Sequence, residues 1–421
     1  MTMHTPTTNP VHERSPLWIV ASGIVALAVA MGVGRFAFTP LLPLMLRDGS
    51  LNAAAGAEWA AANYVGYLLG ALTASRFSAR PRRGLLLALL GVAVSTLAVA
   101  GVEGQSVLAG SVLRAASGVF SAWALVCTSS WGLAELARRQ APHLGAWIYA
   151  GVGVGIFLAG TLAWLGGWQP ARWLWVELGL LAVIGGLFVW RHASPSVTTQ
   201  STSSASKTAD RADASTRSPN ASAQSLSSNT LAATAYRSAM PLVLCYGTFG
   251  FGYIVPATFL PAMARQQVSD PLVFGLAWPL FGLAAALSVV GAARWLSAWP
   301  RRRVWALAQG VMALGTALPL ASSTLWALAA SAVLVGGTFM VATMAGLQLA
   351  REQAPANPTP LLARMTVAFA SGQILGPVLV RLLGDGQWWG WDALAWANAA
   401  ATLLLLGTGW WLWHGARQSH A

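Results

Sequence analysis

The sequence predicts an all-α integral membrane protein of twelve transmembrane helices in two parallel six-helix repeats. Three observations predict it. First, the 421 residues are 56% hydrophobic and only 9% charged, where a soluble chain carries about a quarter charged residues. Second, apolar runs long enough to cross a bilayer, which takes roughly 20 residues, recur along the chain. Third, one stretch occurs twice. Gly32-Val33-Gly34-Arg35-Phe36-Ala37-Phe38-Thr39-Pro40-Leu41-Leu42-Pro43-Leu44-Met45 aligns with Gly250-Phe251-Gly252-Tyr253-Ile254-Val255-Pro256-Ala257-Thr258-Phe259-Leu260-Pro261-Ala262-Met263, 218 residues later. Both Gly-x-Gly pairs and both Leu-Pro-x-Met endings coincide, each at the far end of an apolar run.

Residues 1–16 read as a polar cytoplasmic tail. The N-terminal half, 17–192, holds six spans: Leu17–Met45, Gly56–Phe77, Gly84–Gly101, Val107–Ala134, Leu144–Leu165 and Trp173–Trp190. The first run follows Arg14 but exceeds a signal-peptide core, so it is expected to stay as a helix. Residues 193–236, rich in Ser, Thr and Ala, show no hydrophobic period and are expected to form a disordered cytoplasmic linker. The C-terminal half, 237–414, holds Met240–Met263, Pro271–Ala293, Val304–Leu320, Leu325–Ala350, Pro360–Leu383 and Ala393–Trp413. Residues 415–421 close the chain as a second cytoplasmic tail.

The net charge of +13 would suggest a polyanionic partner in a soluble chain. Here the basic residues sit in short loops, so membrane topology accounts for them and nucleic acid is excluded. Arg76, Arg80, Arg82, Arg83, Arg138, Arg139, Arg191, Arg237, Arg294, Arg301 to Arg303, Arg351, Arg364 and Arg417 all fall on one side. The opposite side carries fewer, and they alternate with Asp48, Glu103, Asp270, Asp385 and Asp392. The positive-inside rule then predicts both termini in the cytoplasm. Trp388, Trp389 and Trp391 on one side, and Trp295, Trp299 and Trp305 on the other, read as interfacial belts.

The repeat extends beyond the opening motif. Gly151-x-x-x-Gly155 maps onto Gly372-x-x-x-Gly376, Gly118 onto Gly336, and Gly66-x-x-x-Gly70 onto Gly282-x-x-x-Ala286, at offsets of 216 to 221. Small residues four apart let helices approach closely in lipid. An even number of spans per copy makes the halves parallel.

Local motifs carry a resemblance. Arg114-Ala115-Ala116-Ser117-Gly118 is similar to an R-x-x-x-G motif. Gly70-Ala71-Leu72-Thr73-Ala74-Ser75-Arg76, running on to Arg82-Arg83, is similar to G-x-L-A-D-R-x-G-R-R, with Ala74 where the Asp would stand. With the twelve spans and central linker, these resemble the major facilitator superfamily. A closer resemblance is to the bacterial YbfB/YjiJ-type transporters. It is carried by residues 32–43, by Ala62-Asn63-Tyr64-Val65-Gly66-Tyr67-Leu68-Leu69-Gly70, by Gly250-Phe251-Gly252-Tyr253 with Thr258-Phe259-Leu260-Pro261, by Gly336-Gly337-Thr338-Phe339-Met340, and by Gly372-Gln373-Ile374-Leu375-Gly376-Pro377. The resemblance implies the major facilitator fold and transport by alternating access, and it implies no particular substrate.

Ionisable groups within a bilayer are costly and mark function. Arg35, Glu58, Arg114 and Glu177 qualify, all in the N-terminal half. Two readings stay open. Arg35 and Arg114 meet an anionic substrate group, with Glu58 or Glu177 carrying protons; or the four charges neutralise one another. The C-terminal half offers Tyr246, Tyr253, Thr258 and Gln373 as polar substrate contacts. Pro40, Pro43, Pro256 and Pro261 lie late in spans one and seven and are candidate gate bends, with Asn63 and Tyr67 as further gate candidates. Cys127 and Cys245 read as buried apolar residues, and the six histidines fall in tails or at span ends. No metal spacing, cofactor motif or nucleophile–base arrangement stands out, so an enzyme is not expected. The function expected is a secondary transporter, monomeric, exporting a small, anionic organic solute with proton coupling. The alternative is a non-transporting sensor or scaffold that uses the linker.

Overall fold

The computed structural model describes residues 15–77, 79–193, 240–260, 263, 275–354, 359–384 and 386–418. Its helices are α1 (Pro16–Arg47), α2 (Ala53–Thr73), α3 (Pro81–Val102), α4 (Val107–Arg138), α5 (Pro142–Leu165), α6 (Ala171–His192), α7 (Met240–Leu260), α8 (Ala277–Trp295), α9 (Arg301–Ala321), α10 (Leu325–Gln353), α11 (Thr359–Leu383) and α12 (Ala393–Gln418). Eleven are long and apolar enough to cross a membrane. The other, α2, spans 21 residues, but Glu58, Asn63, Tyr64 and Tyr67 dilute its apolar run. The expected linker lies outside the described residues, apart from Ala193, and so does Pro261.

The helices overrun the apolar runs at the face where α1 begins, here the basic face. Helix α4 continues to Arg138 and α12 to Gln418. Hydropathy fixes only the part of a helix that lies in hydrocarbon, and polar residues extend it into the headgroups. One belt residue is corrected: Trp305 is fully buried against Tyr246, whereas Trp295 and Trp299 are exposed.

Glycine places the helices in each half in the same way. A Cβ on Gly32 would enter the backbone of Gly155, and one on Gly151 the backbone of Ile24, so α1 crosses α5 at main-chain contact. Gly250 meets Phe369 and Gly372 meets Gly247 likewise, so α7 crosses α11. Helix α5 joins the two halves by packing on α8 through Gly153, Gly160 and Gly282. The repeat also reaches the basic face. Arg82 Nε donates to Ala193 O at 2.9 Å, at the end of α6. Arg302, 220 residues later, donates from Nε to Leu412 O at 3.1 Å near the end of α12, and lies 4.4 Å from the Trp411 ring. Ala193 is the C-cap of α6, so Arg82 satisfies a carbonyl that the helix end leaves open, whereas Leu412 lies within the last two turns of α12.

On the opposite face, Asp48 accepts from the Ala171 N–H at 2.7 Å, and Ser50 donates to Glu103 Oε1 at 2.6 Å. Glu103 Oε2 is buried without a partner. Burial pushes the Glu103 carboxyl above its ordinary range, with Asp48 adding repulsion, against the Ser50 hydrogen bond and Arg172. The folded protein therefore holds this proton more tightly than the unfolded chain does. The stabilisation is present at low pH and is lost as pH rises through the raised value. Glu103→Gln is expected to raise the unfolding temperature at neutral pH and to flatten its dependence on acid, as read by thermal unfolding across pH 4–8.

Candidate functional site

The site is built on an irregular turn. Residues Ala28–Phe36 of α1 are π-helical, a widened coil that regular α-helices rarely contain. Pro40 has no N–H to offer the carbonyl four residues back, that of Phe36. The widened turn presents its carbonyls sideways, and α4 and α2 answer them. Ser121 Oγ donates to Ala30 O at 2.6 Å. Gly34 O accepts from Ser117 Oγ at 2.7 Å, Arg114 Nη1 at 3.1 Å and Asn63 Nδ2 at 3.3 Å. Arg114 Nη2 donates to Arg35 O at 3.1 Å, and Asn63 Nδ2 also reaches Arg114 O at 2.9 Å. Arg114 thus commits both terminal nitrogens to main chain, with Phe38 and Trp175 at 5.0 and 5.8 Å from its guanidinium.

Arg35 points elsewhere. Its side chain is buried, and its guanidinium lies 4.0 Å from the Tyr67 ring, with Phe36 and Tyr64 at 5.4 and 5.6 Å. Arg35 Nη2 donates to Gln373 Oε1 on α11, and Gln373 Nε2 donates to the Tyr253 hydroxyl on α7. The two residues that the repeat aligns, Arg35 and Tyr253, therefore meet at one amide. Tyr64 and Thr258 share a second bond between the halves at 3.2 Å. Aromatic rings close the same region. Phe36 packs on Trp278 and Phe339, and Tyr253 lies nearly parallel to Phe339 and Phe369 at 5.5 Å each. Arg35 Nε and Nη1 remain buried with no partner.

The structure brings Arg35, Tyr253, Gln373 and Tyr67 together, with Thr258 joined to Tyr64 beside them. Arg114 and Asn63 sit one layer behind, against the π-turn. Tyr246 is buried among Phe249, Trp305 and Phe369. Glu58 is exposed and accepts from Ser111 at 2.9 Å; Glu177 accepts from Gln169 at 3.0 Å. Among the described residues neither Arg35 nor Arg114 forms an ion pair, so of the two open readings the mutual neutralisation of the four charges finds no ion pair behind it. Backbone carbonyls serve Arg114 instead, and rings with one amide serve Arg35. Pro40 and Pro43 lie in the last third of α1, just past the π-turn, and Pro256 lies late in α7.

Sequence reasoning missed Ser117, Ser121, Phe339 and Glu135. The serines were legible: with Arg114 they stand at helix positions i, i+3 and i+7, one face of α4. Glu135 is buried at the end of α4, bonded to Arg138 at 3.1 Å and Arg139 at 2.8 Å. It fell just past the expected span end. A cavity of about 330 Å³ lies at the basic face between the halves, lined by His143 on α5, Ala292 on α8, Arg301 on α9 and Gln348 on α10. Toward the other face the halves stay in contact at Gly160 and Pro279.

The fold matches solved transporter structures. The D-xylose-proton symporter superposes with a TM-score of 0.67 at 13% identity, over 94% of this chain and 97% of that one. A mutant form of the nucleoside transporter NupG gives 0.65 at 12% identity, over 94% and 99%, and NupG itself gives 0.63 at 12% identity, over 95% and 98%. No curated protein matches the sequence significantly. The family described as uncharacterised MFS-type transporter YbfB matches residues 27–409. The chain is a multi-pass membrane protein with the major facilitator fold and belongs to this family of secondary transporters, not to an enzyme family.

Proposed function

We propose that the protein moves a small organic anion across the bacterial inner membrane by alternating access, with Arg35 receiving the anionic group. The observation that carries this reading is the buried guanidinium between the halves, with two unpartnered nitrogens and, among the described residues, no carboxylate in ion-pair reach. A buried charge without a counter-charge is costly, and an arriving anion would compensate it through the planar donor fork of arginine. Gln373, Tyr253 and Thr258 would complete the site from the other half.

Export is the direction this reading takes; the cavity between the halves at the basic face, which the positive-inside rule places in the cytoplasm with both termini, would be its loading side, one of the two openings an alternating-access carrier passes through. The neighbours named as nucleoside transporter and D-xylose-proton symporter support a small-molecule cargo. Proton coupling through Glu58 or Glu177 has less behind it, since neither residue approaches Arg35. The sensor reading rests on the linker, which lies outside the described residues.

The test is thermal unfolding of the purified protein against a panel of organic anions at pH 7. At least one should stabilise the wild type, by about 2.7 kcal/mol at a hundredfold excess over its Kd. Arg35→Gln should abolish that shift. An anion that stabilises both proteins equally binds elsewhere and removes Arg35 from the site.

A further inference from the structure

We propose that the site selects a planar aromatic carboxylate with a single negative charge and no ammonium group. This rests on the reading of Arg35 as the anion-binding group and names the class of anion. The charge follows from a census of the two buried arginines. Arg114 is occupied by Gly34 O and Arg35 O and offers the ligand no fork. Arg35 leaves Nε and Nη1 without a hydrogen-bond partner beside the residues of the other half, whereas Arg114, one layer behind, leaves only Nε. One cation compensates one negative charge; the second charge of a dicarboxylate would be left buried and unpaired.

The absence of an ammonium group follows from the walls. Among the described residues no carboxylate forms an ion pair with Arg35, and Glu58 and Glu177 are bonded outside this interface. An amino-acid zwitterion would leave its ammonium group without a counter-charge in a low-dielectric site.

The ring follows from the surfaces that the halves present when they part. Arg35 and Tyr67 lie on the N-terminal half. Tyr253, Phe339 and Phe369 lie on the other, the two phenylalanine ring planes each within 10° of that of Tyr253. Phe36 packs on Phe339 across the interface, so the aromatic surface freed when the halves part suits an aromatic body by edge or offset stacking. Gln373 shows where the carboxylate goes. Its Oε1 already accepts from Arg35, and its Nε2 occupies the Tyr253 hydroxyl. A carboxylate that displaces this amide accepts from Arg35 with one oxygen and from the Tyr253 hydroxyl with the other. It thereby ties α1 to α7 and favours closure of the halves around it.

The experiment is calorimetric binding to the purified full chain, with benzoate, acetate, phthalate, phenylalanine and inorganic phosphate as probes. Benzoate should bind at least tenfold more tightly than each of the others. Phe339→Leu should weaken benzoate about tenfold and leave acetate unchanged. Tyr253→Phe keeps the ring and should weaken both acids, so it serves if Phe339→Leu does not fold. Arg35→Gln should remove benzoate binding. Phenylalanine or phthalate binding as tightly as benzoate overturns the class. Acetate or phosphate binding that needs Arg35, without benzoate binding, overturns the class and keeps the anion reading. No probe depending on Arg35 overturns both.

Discussion

Gly32→Leu is expected to leave little folded protein, while Gly407→Leu leaves folding intact. The two glycines receive the same side chain in opposite surroundings. Gly407 is exposed on α12 with nothing within 4 Å of an added Cβ. At Gly32 the Cβ would enter the backbone of Gly155, whose own Cβ would enter the backbone of Ala28. Main-chain atoms cannot rotate aside, so α1 and α5 must move apart. In lipid there is little hydrophobic gain to restore the contact, because helix association there rests on close packing. Overpacking a core commonly costs 1–3 kcal/mol; at a backbone crossing we expect more than about 3 kcal/mol, a large part of the roughly 5–15 kcal/mol that holds a protein folded. Size-exclusion profiles and thermal unfolding in detergent check it. A Gly32→Leu protein that elutes and melts like the wild type would mean that the two helices do not meet there.

The same glycines explain how much of the fold could be read from the chain. Span positions follow from run length, which is a property of each segment alone. The repeat placed Gly32 and Gly250 at equivalent points, and both prove to be helix crossings. Even α2 was legible, though Glu58, Asn63 and the tyrosines lower its hydropathy, because its flanking basic loop marks its end. The π-turn of Ala28–Phe36 was not legible. Its hydrogen bonds depend on donors from α2 and α4, and nothing local in the composition demands them. For the same reason Arg114 read as a charge awaiting another charge, when its partners are carbonyls that exist only because α1 is widened. Arg35 was the better inference, since the repeat exposed it as the one charged mismatch. Its partner Gln373 was a candidate too, yet the bond between them required knowing that α2 packs on α11.

Arg114→Ala is expected to abolish Arg35-dependent ligand binding although Arg114 itself touches no ligand. The truncation removes the donor to Arg35 O and one of three donors to Gly34 O. A buried carbonyl left without a donor costs about 1–3 kcal/mol, and the space between Phe38 and Trp175 adds a cavity term, for a total on the order of 3 kcal/mol. The effect on binding exceeds the effect on folding, because these carbonyls belong to the turn that aims Arg35. A guanidinium displaced by an ångström no longer meets both Gln373 and the Tyr67 face. Graded variants separate positioning from direct binding. Arg114→Lys keeps a cation and three donors but loses the fixed fork, so it should recover folding and part of the binding. Ser117→Ala leaves Gly34 O with Asn63 and Arg114 and should cost less than either. If Arg114 instead met the ligand, its loss would remove a charge from the site, and Arg114→Ala would change the preference between mono- and dicarboxylates. The positioning role predicts that every anion loses affinity by a similar factor and that the order of preference stays the same.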